Sequence, residues 1–273
     1  MLGLGVGIPK LVYPAPVAGY VNSQSLNLDG TGDIIETNLT EAQIQTLMRG
    51  TGFTVSMWVN VAYSSSFHFF GYTDTGNVLA GTFDLRYVHI IPTLDYVLAS
   101  LKLGGQSADQ LMVVNPTFTD VNNTWQHIAY SVVRGVDDST DGSHTLYWNG
   151  SQAGTADTQP KNFAEATTVS SGRGLAIGGQ NSNGTMQNNM TGLLDEVAIF
   201  NTGLDASNIA AIYNSGVPFD LTADSGSYRS SSALHSYYRF EGSTQSDLSQ
   251  DLGSTGVTID IQGNPTTSTS VPS

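Results

Sequence analysis

The stretch Gly192–Gly216, GLLDEVAIFNTGLDASNIAAIYNSG, changes its period part-way along. Leu194, Val197, Ile199 and Phe200 make an apolar strand interrupted by Asp195 and Glu196. Past Asn201-Thr202-Gly203, the apolar residues Leu204, Ile209, Ile212 and Tyr213 fall close to helical spacing. This predicts a short helix near Asp205 to Asn214, with Asp205 or Ser207 capping it and Gly216 ending it. A strand, a turn, a brief helix and a glycine stop make an unusual closing unit for a chain that otherwise reads as β.

Working outward, the rest of the sequence is short strands and turns. GFTVSMWVNV (52–61) alternates cleanly: Phe53, Val55, Met57, Val59 and Val61 point to one side, and Thr54, Ser56, Trp58 and Asn60 to the other. The tryptophan on the second side predicts that this side is also partly covered. SLNLDGTGDIIET (25–37) alternates, turns at Asp29–Asp33, and resumes. HFFGYT, FDLRYVHII, YVLASLKL, DQLMVVNP and TWQHIAYSVVRG read as further strands. HTLYWNGSQAGTA reads as a hairpin with Asn149-Gly150 at its tip, because both central positions of such a turn favour positive φ. Thr40 to Met48 reads as a second short helix capped by Thr40, and NSNGTMQNNMTG as a polar loop. The expected fold is all-β: an antiparallel β-sandwich of jelly-roll type with one short helix toward the C-terminal side.

Composition narrows the function. The 273 residues carry a net charge of −14, from 23 acids against 9 bases, so no basic patch for nucleic acid or anionic membrane can be assembled. The surface is covered by hydroxyls and amides rather than ions, since only 12% of residues are charged. There is no cysteine, which excludes disulfides, thiolate catalysis and Cys-ligated zinc. MLGLGVGIPKLVYPAPVAGY lacks the basic start of a signal peptide and is broken by glycine and proline. It is expected to be an apolar arm (1–19) that docks on other particle proteins or on copies of this chain. The sandwich is then expected over 20–262, with 217–262 adding strands to the same domain, and a flexible tail over 263–273.

Five segments in order, SLNLDGTGDIIET, GFTVSMWVNV, TWQHIAYSVV, HTLYWNGSQAGTA and the closing unit, resemble the laminin-G-like branch of the concanavalin A-like lectin/glucanase fold. SYYRFEGSTQSDLSQDLGSTG also resembles a strand of this family that comes first in many members and last here, as in a circularly shifted chain. That arrangement, with the MLGLGVGIP opening, is similar to structural proteins of tailed phages, marine ones especially. The resemblance implies a structural Ca²⁺ held by Asp195 of the final strand and by Asp29, Gly30 and Asp33 of the early turn; a hard cation wants such oxygens. The competing reading is that these aspartates make Asx-turns and accept backbone N–H bonds.

The chemistry of the remaining residues is sparse. Glycosidases on this fold pair carboxylates at Glu-x-Asp-x-x-Glu spacing, absent here; adjacent Asp195 and Glu196 in a regular strand would face opposite sides. The five histidines show no HxH or HExxH spacing. No catalytic residue is expected. A glycan site is expected at the sandwich rim, from the face of Trp148 with Asn149, Asn181 and Asn183. The leading expectation is a non-enzymatic virion structural, decoration or fibre protein, located on the virion surface and adhesive to cell-surface polysaccharide. The alternatives are a secreted extracellular carbohydrate-binding module and a polysaccharide-degrading enzyme, the latter requiring carboxylates or a His/Tyr pair to converge on one sheet.

Overall fold

A computed structural model describes residues 20–72, 82–90, 94–102, 109–114, 122–134, 142–157, 175–182 and 185–273. Two antiparallel sheets stack as a sandwich, as the alternation requires. Sheet A runs in the order β10 (Ser151–Asp157), β9 (Ser143–Trp148), β8 (Gln126–Val133), β3 (Gly52–Val61), β14 (Thr191–Phe200), β1 (Ser25–Asp29) and β17 (Thr266–Ser268). A further strand, β15 (Leu234–Tyr238), pairs with β14. Sheet B runs β16 (Ile259–Gln262), β2 (Ile34–Thr37), β11 (Ala176–Ile177), β4 (Phe67–Tyr72), β5 (Thr82–Ile90), β6 (Leu94–Lys102) and β7 (Asp109–Val114). Part of the expected polar loop pairs as a small hairpin of β12 (Gln180–Ser182) and β13 (Thr185–Gln187).

Both sheets bury alternate residues between them. Phe53, Val55, Met57, Val59 and Val61 of β3 join Leu85 and Tyr87 of β5 and Val97, Ala99 and Leu101 of β6 in one core. The opposite side of sheet A is covered as Trp58 predicted. Helix α2 (Ala206–Tyr213) lies there, Ile209 and Ile212 pack with Phe200, Phe219 and Tyr228, and the Trp58 ring stacks on Tyr213 with centroids 5.7 Å apart. The Asp205 side chain caps α2 by accepting from the Asn208 N–H at 2.8 Å. Its stop is Asn214 in the left-handed conformation, not Gly216; asparagine is the commonest residue after glycine to take that position. Helix α1 (Glu41–Arg49) starts at the expected Thr40, whose hydroxyl and the Gln43 side chain cap each other's backbone.

The residues after Val217 add strands to the same sandwich, β15 to sheet A and β16 to sheet B, with a single helical turn, α3 (Gln245–Leu248), between them. The end of the chain departs from expectation. Thr266–Ser268 form β17 on the outer edge of β1, and the Ser25 hydroxyl donates to the Ser270 carbonyl at 2.7 Å. An edge strand presents unpaired N–H and C=O groups, and a Thr/Ser segment suits a strand well enough to take them. The expected apolar arm, 1–19, lies outside the described residues.

β15 and β1 lie end to end along one side of β14. β1 pairs with Thr191–Leu194 and β15 with Val197–Phe200. The shifted order of the YYRFEG strand is thus accommodated by placing it in line with β1. Asp195 and Glu196 fall at the junction.

Candidate functional site

The junction is a polar node buried in sheet A. Between Asp195, opposite Trp58, and Ala198, opposite Ser56, β14 carries one residue more than β3. The extra residue is a bulge, and Glu196 takes it up with φ of 50°. The expectation that the two carboxylates face opposite sides fails for this reason. Asp195 shares the α2 side with Trp58, and Glu196 lines a small cavity there with Ser56, Trp58 and Phe219. Glu196 accepts from Arg239 Nε at 3.0 Å, from the Tyr20 hydroxyl at 3.1 Å and from the Tyr237 hydroxyl. The Arg239 guanidinium also lies over the Tyr20 ring, 4.1 Å from its centroid. Glu241 accepts from the Ser23 N–H and hydroxyl, both at 2.6 Å. The node therefore clasps the start of the sandwich to the exit of β15.

Asp195 is less well served. It is fully buried, its Oδ1 accepts from the Glu196 N–H, and its Oδ2 makes no well-formed hydrogen bond among the described residues, although the Asn22 side chain lies close enough to favour the charged form. Burial pushes its carboxyl well above the ordinary 3.8, and the Glu196 carboxylate adds to the shift. The folded chain thus keeps a proton that the unfolded chain releases near pH 4, and stability falls as pH rises from there toward the folded value. Asp195→Asn keeps the acceptor at Oδ1 and removes the charge. It is expected to stabilise the protein by about 1–3 kcal/mol at pH 8, with the gain shrinking toward pH 4. Urea unfolding of both proteins across that range checks this; a variant that is weaker throughout would show that the carboxylate has a partner of its own.

The residues expected to hold Ca²⁺ do not form one site. Asp29 is opposite Thr191, so Asp195 lies four positions away, about 13 Å along the strand. Asp33 is spent on the turn: its oxygens accept from the Asp29 N–H at 2.9 Å and the Asn264 N–H at 2.8 Å, while Asp29 accepts from the Thr31 N–H at 2.6 Å. Gly30 supplies the positive φ, 81°, that the turn needs. These are the Asx-turn roles of the competing reading. Among the described residues no group of three or more His, Asp or Glu is placed to hold a metal. A cation bridging the two segments does not fit this arrangement.

Of the expected rim site, only the Trp148 and Asn149 side chains are described. Trp148 is half-buried against the inter-sheet core, and its Nε1–H donates to Gln126 Oε1 at 2.9 Å. Asn149 is used on both sides of its amide, accepting from the His127 N–H at 2.9 Å and donating to Gln126 at 2.6 Å. These two residues lock a hairpin tip. Asn181 belongs to β12, opposite Met186, and Asn183 lies outside the described residues.

A different polar cluster, which the sequence did not reveal, lies on the outer face of sheet B. Leu85 and Tyr87 point to the core, so Asp84 and Arg86 point outward; Val97, Ala99 and Leu101 point inward, so Leu98 and Ser100 point outward. The ladder sets His68 opposite Arg86 and Asp84 between Gly71 and Ser100. His68, Asp84 and Ser100 are 4%, 8% and 6% exposed. Neither ring nitrogen of His68 has a hydrogen-bond partner among the described residues; Ser100 and Asp84 pull on each other across the ladder, with no well-formed hydrogen bond at Ser100 Oγ or Asp84 Oδ1. Burial, with the Arg86 charge adding, lowers His68 to about 4. Burial raises Asp84 to about 6, against the pull of Arg86 and Ser100. The Arg86 guanidinium is 3.8 Å from Asp84 and its side chain is 32% exposed, so the cluster meets solvent there. The signal was the spacing of Asp84, Arg86 and Ser100 on two adjoining strands; His68 was hidden by a bulge in β4 that sends Phe67, Phe69 and Phe70 all to the core.

Residues 29–210 match a family profile of laminin G type described as the concanavalin A-like lectin/glucanases superfamily. This chain is a concanavalin A-like lectin/glucanase superfamily member. No curated protein matches the sequence. Among solved structures, this superfamily member is similar to a proposed carbohydrate binding protein of Bacteroides ovatus ATCC 8483, at 17% identity and a TM-score of 0.58, over 92% of this chain and 61% of that one. It is also similar to tailspike protein 2 of Escherichia coli O157:H7 bacteriophage CAB120, at 14% identity and a TM-score of 0.57, over 87% of this chain and 31% of that one. The chain thus spans about three-fifths of the first protein and a third of the second. At such identities the likeness is one of fold.

Proposed function

We propose that this superfamily member is a non-enzymatic, glycan-binding sandwich that serves as a decoration or fibre component on the surface of a virus particle. The observation that carries the glycan reading is the outer face of sheet B. Three nearly buried polar side chains, His68, Asp84 and Ser100, keep hydrogen-bonding capacity that the described residues do not fully use, and Arg86 stands beside them at the solvent edge. Each such group costs about 1–3 kcal/mol if left unpaired, and a hydroxyl-rich ligand would supply the missing partners. The presence of similar sandwiches in a proposed carbohydrate binding protein and in a phage tailspike supports the combination of roles. A glycan array probed with the purified chain tests binding; retention of none of its saccharides would remove the reading.

The virion role rests on the apolar arm, which would dock on particle proteins or on copies of the chain. Deletion of residues 1–19 is expected to leave the sandwich folded and to abolish assembly; an intact oligomer after truncation would contradict it. The cut must spare Tyr20, which the Glu196 node holds.

A second reading, polysaccharide cleavage, is favoured by the convergence of His68, Asp84 and Arg86, the first two with shifted titration. Binding is preferred because a base held neutral down to about pH 4, with no group orienting either nitrogen, is weak. New reducing ends or unsaturated products from a bound polysaccharide would reverse that preference.

A further inference from the structure

The sheet B cluster stands around a residue that has no side chain. Gly71 is in the interior of β4, opposite Asp84 on one side and Ala176 on the other. Its φ is not in the left-handed region, so its backbone does not require glycine. Crowding does not require it either. A Cβ there would lie 3.5 Å from Asp84 Cβ, 3.7 Å from His68 Cδ2 and 3.9 Å from Gln180 Cγ, all ordinary van der Waals contact. A glycine inside a strand costs about 0.5–1 kcal/mol relative to alanine, and it commonly marks a place where a ligand approaches the backbone closely. The same three side chains that a methyl group would touch include two of the cluster, His68 and Asp84.

We infer that Gly71 is the floor of a saccharide subsite walled by His68, Asp84, Arg86 and Ser100, and that it takes an uncharged sugar unit through a pair of neighbouring hydroxyls. This rests on the glycan-binding reading and names its ligand class. The groups suit a diol. Asp84 accepts, Arg86 donates, His68 offers one donor and one acceptor, and Ser100, which already pulls on Asp84, offers an acceptor. Asp84 and Arg86 stand on one strand, two residues apart on the same face, so together they can hold adjacent hydroxyls. Leu98, opposite Arg86 and 7% exposed, gives an apolar surface for the sugar's C–H face. An anionic sugar is disfavoured twice. Arg86 is already matched by Asp84 at 3.8 Å, and the whole chain carries −14.

Calorimetric titration of the full chain with neutral oligosaccharides (gluco-, manno- and galacto-configured) and with uronate- and sialate-bearing ones tests this. A neutral series is expected to bind. Gly71→Ala, which fills the floor without a clash, is expected to weaken that binding at least tenfold while its melting temperature is unchanged or higher. Asp84→Asn is expected to weaken it comparably. Preference for anionic sugars, lost with salt and with Arg86→Ala, would overturn the uncharged class and leave glycan binding standing. Neutral binding unaffected by Gly71→Ala would overturn the location. Binding of no saccharide at all would overturn this inference together with the reading beneath it.

Discussion

Glu196→Ala is expected to destabilise the protein by about 3–5 kcal/mol, the usual result of removing one partner of a buried ion pair. The Glu196 and Arg239 side chains are 2% and 14% exposed, so water cannot take the place of the missing carboxylate. The loss has three parts: Arg239 is left with an unmatched charge, and the Tyr237 and Tyr20 hydroxyls lose an acceptor. Alanine also does not relieve the positive φ at this position. Arg239 would still donate to the Val21 carbonyl, so the start of the sandwich should loosen rather than detach. Equilibrium denaturation gives the magnitude, and hydrogen exchange at residues 20–25 and 236–241 the location. Glu196→Gln retains the shape and acceptor capacity and is expected to cost less. A loss under 1 kcal/mol in Glu196→Ala would mean that the node is solvated and that the clasp is not what holds β15 and β1 in line.

Gly52→Ala is expected to cost on the order of 3–5 kcal/mol, from backbone strain and overpacking together. Its φ is 142°, in a region that L side chains rarely adopt. A Cβ would lie 2.1 Å from the Val132 carbonyl oxygen and 2.9 Å from the Gly203 nitrogen, and neither backbone atom can move aside cheaply. Gly203 crowds the same carbonyl, at 2.3 Å from its own notional Cβ. The two glycines let the turn after β14 close on the start of β3, where the Thr54 hydroxyl accepts from the Leu204 N–H at 2.8 Å. Helix α2 begins from that turn. Loss of near-ultraviolet signal from Trp58 stacked on Tyr213, alongside a lowered denaturation midpoint, is the expected signature. A variant of native stability would show that the turn stands further from β3 than described.

The parts of the fold that alternation governs were legible. β3 was readable residue by residue because an unbroken period of two puts its apolar side chains between the sheets. Helix α2 was readable from Asp205, Ile209 and Ile212. The site residues were not legible, and the reasons are physical. A bulge is a local change of register, and neither the bulge at Glu196 nor the one between His68 and Phe70 leaves a mark in composition. Trp148 and Asn149 looked available because ring and amide chemistry suits sugars, but strand pairing brings Gln126 between them and consumes that chemistry. Asp29 and Asp33 matched a ligand pattern that turn formation uses equally well. The cluster of His68, Asp84 and Ser100 depends on which strands are neighbours, a property of the ladder rather than of any one segment.

The most direct test of glycan recognition on the outer face of sheet B is an amide-resolved nuclear magnetic resonance titration with a saccharide retained on the array. Chemical-shift changes are expected to concentrate at Gly71, Asp84, Arg86 and Ser100, with the amides of 147–150 and of helix α2 unmoved. Shifts centred on the Trp148–Gly150 tip or the Asn201–Asn214 side, with β4, β5 and β6 silent, would contradict it.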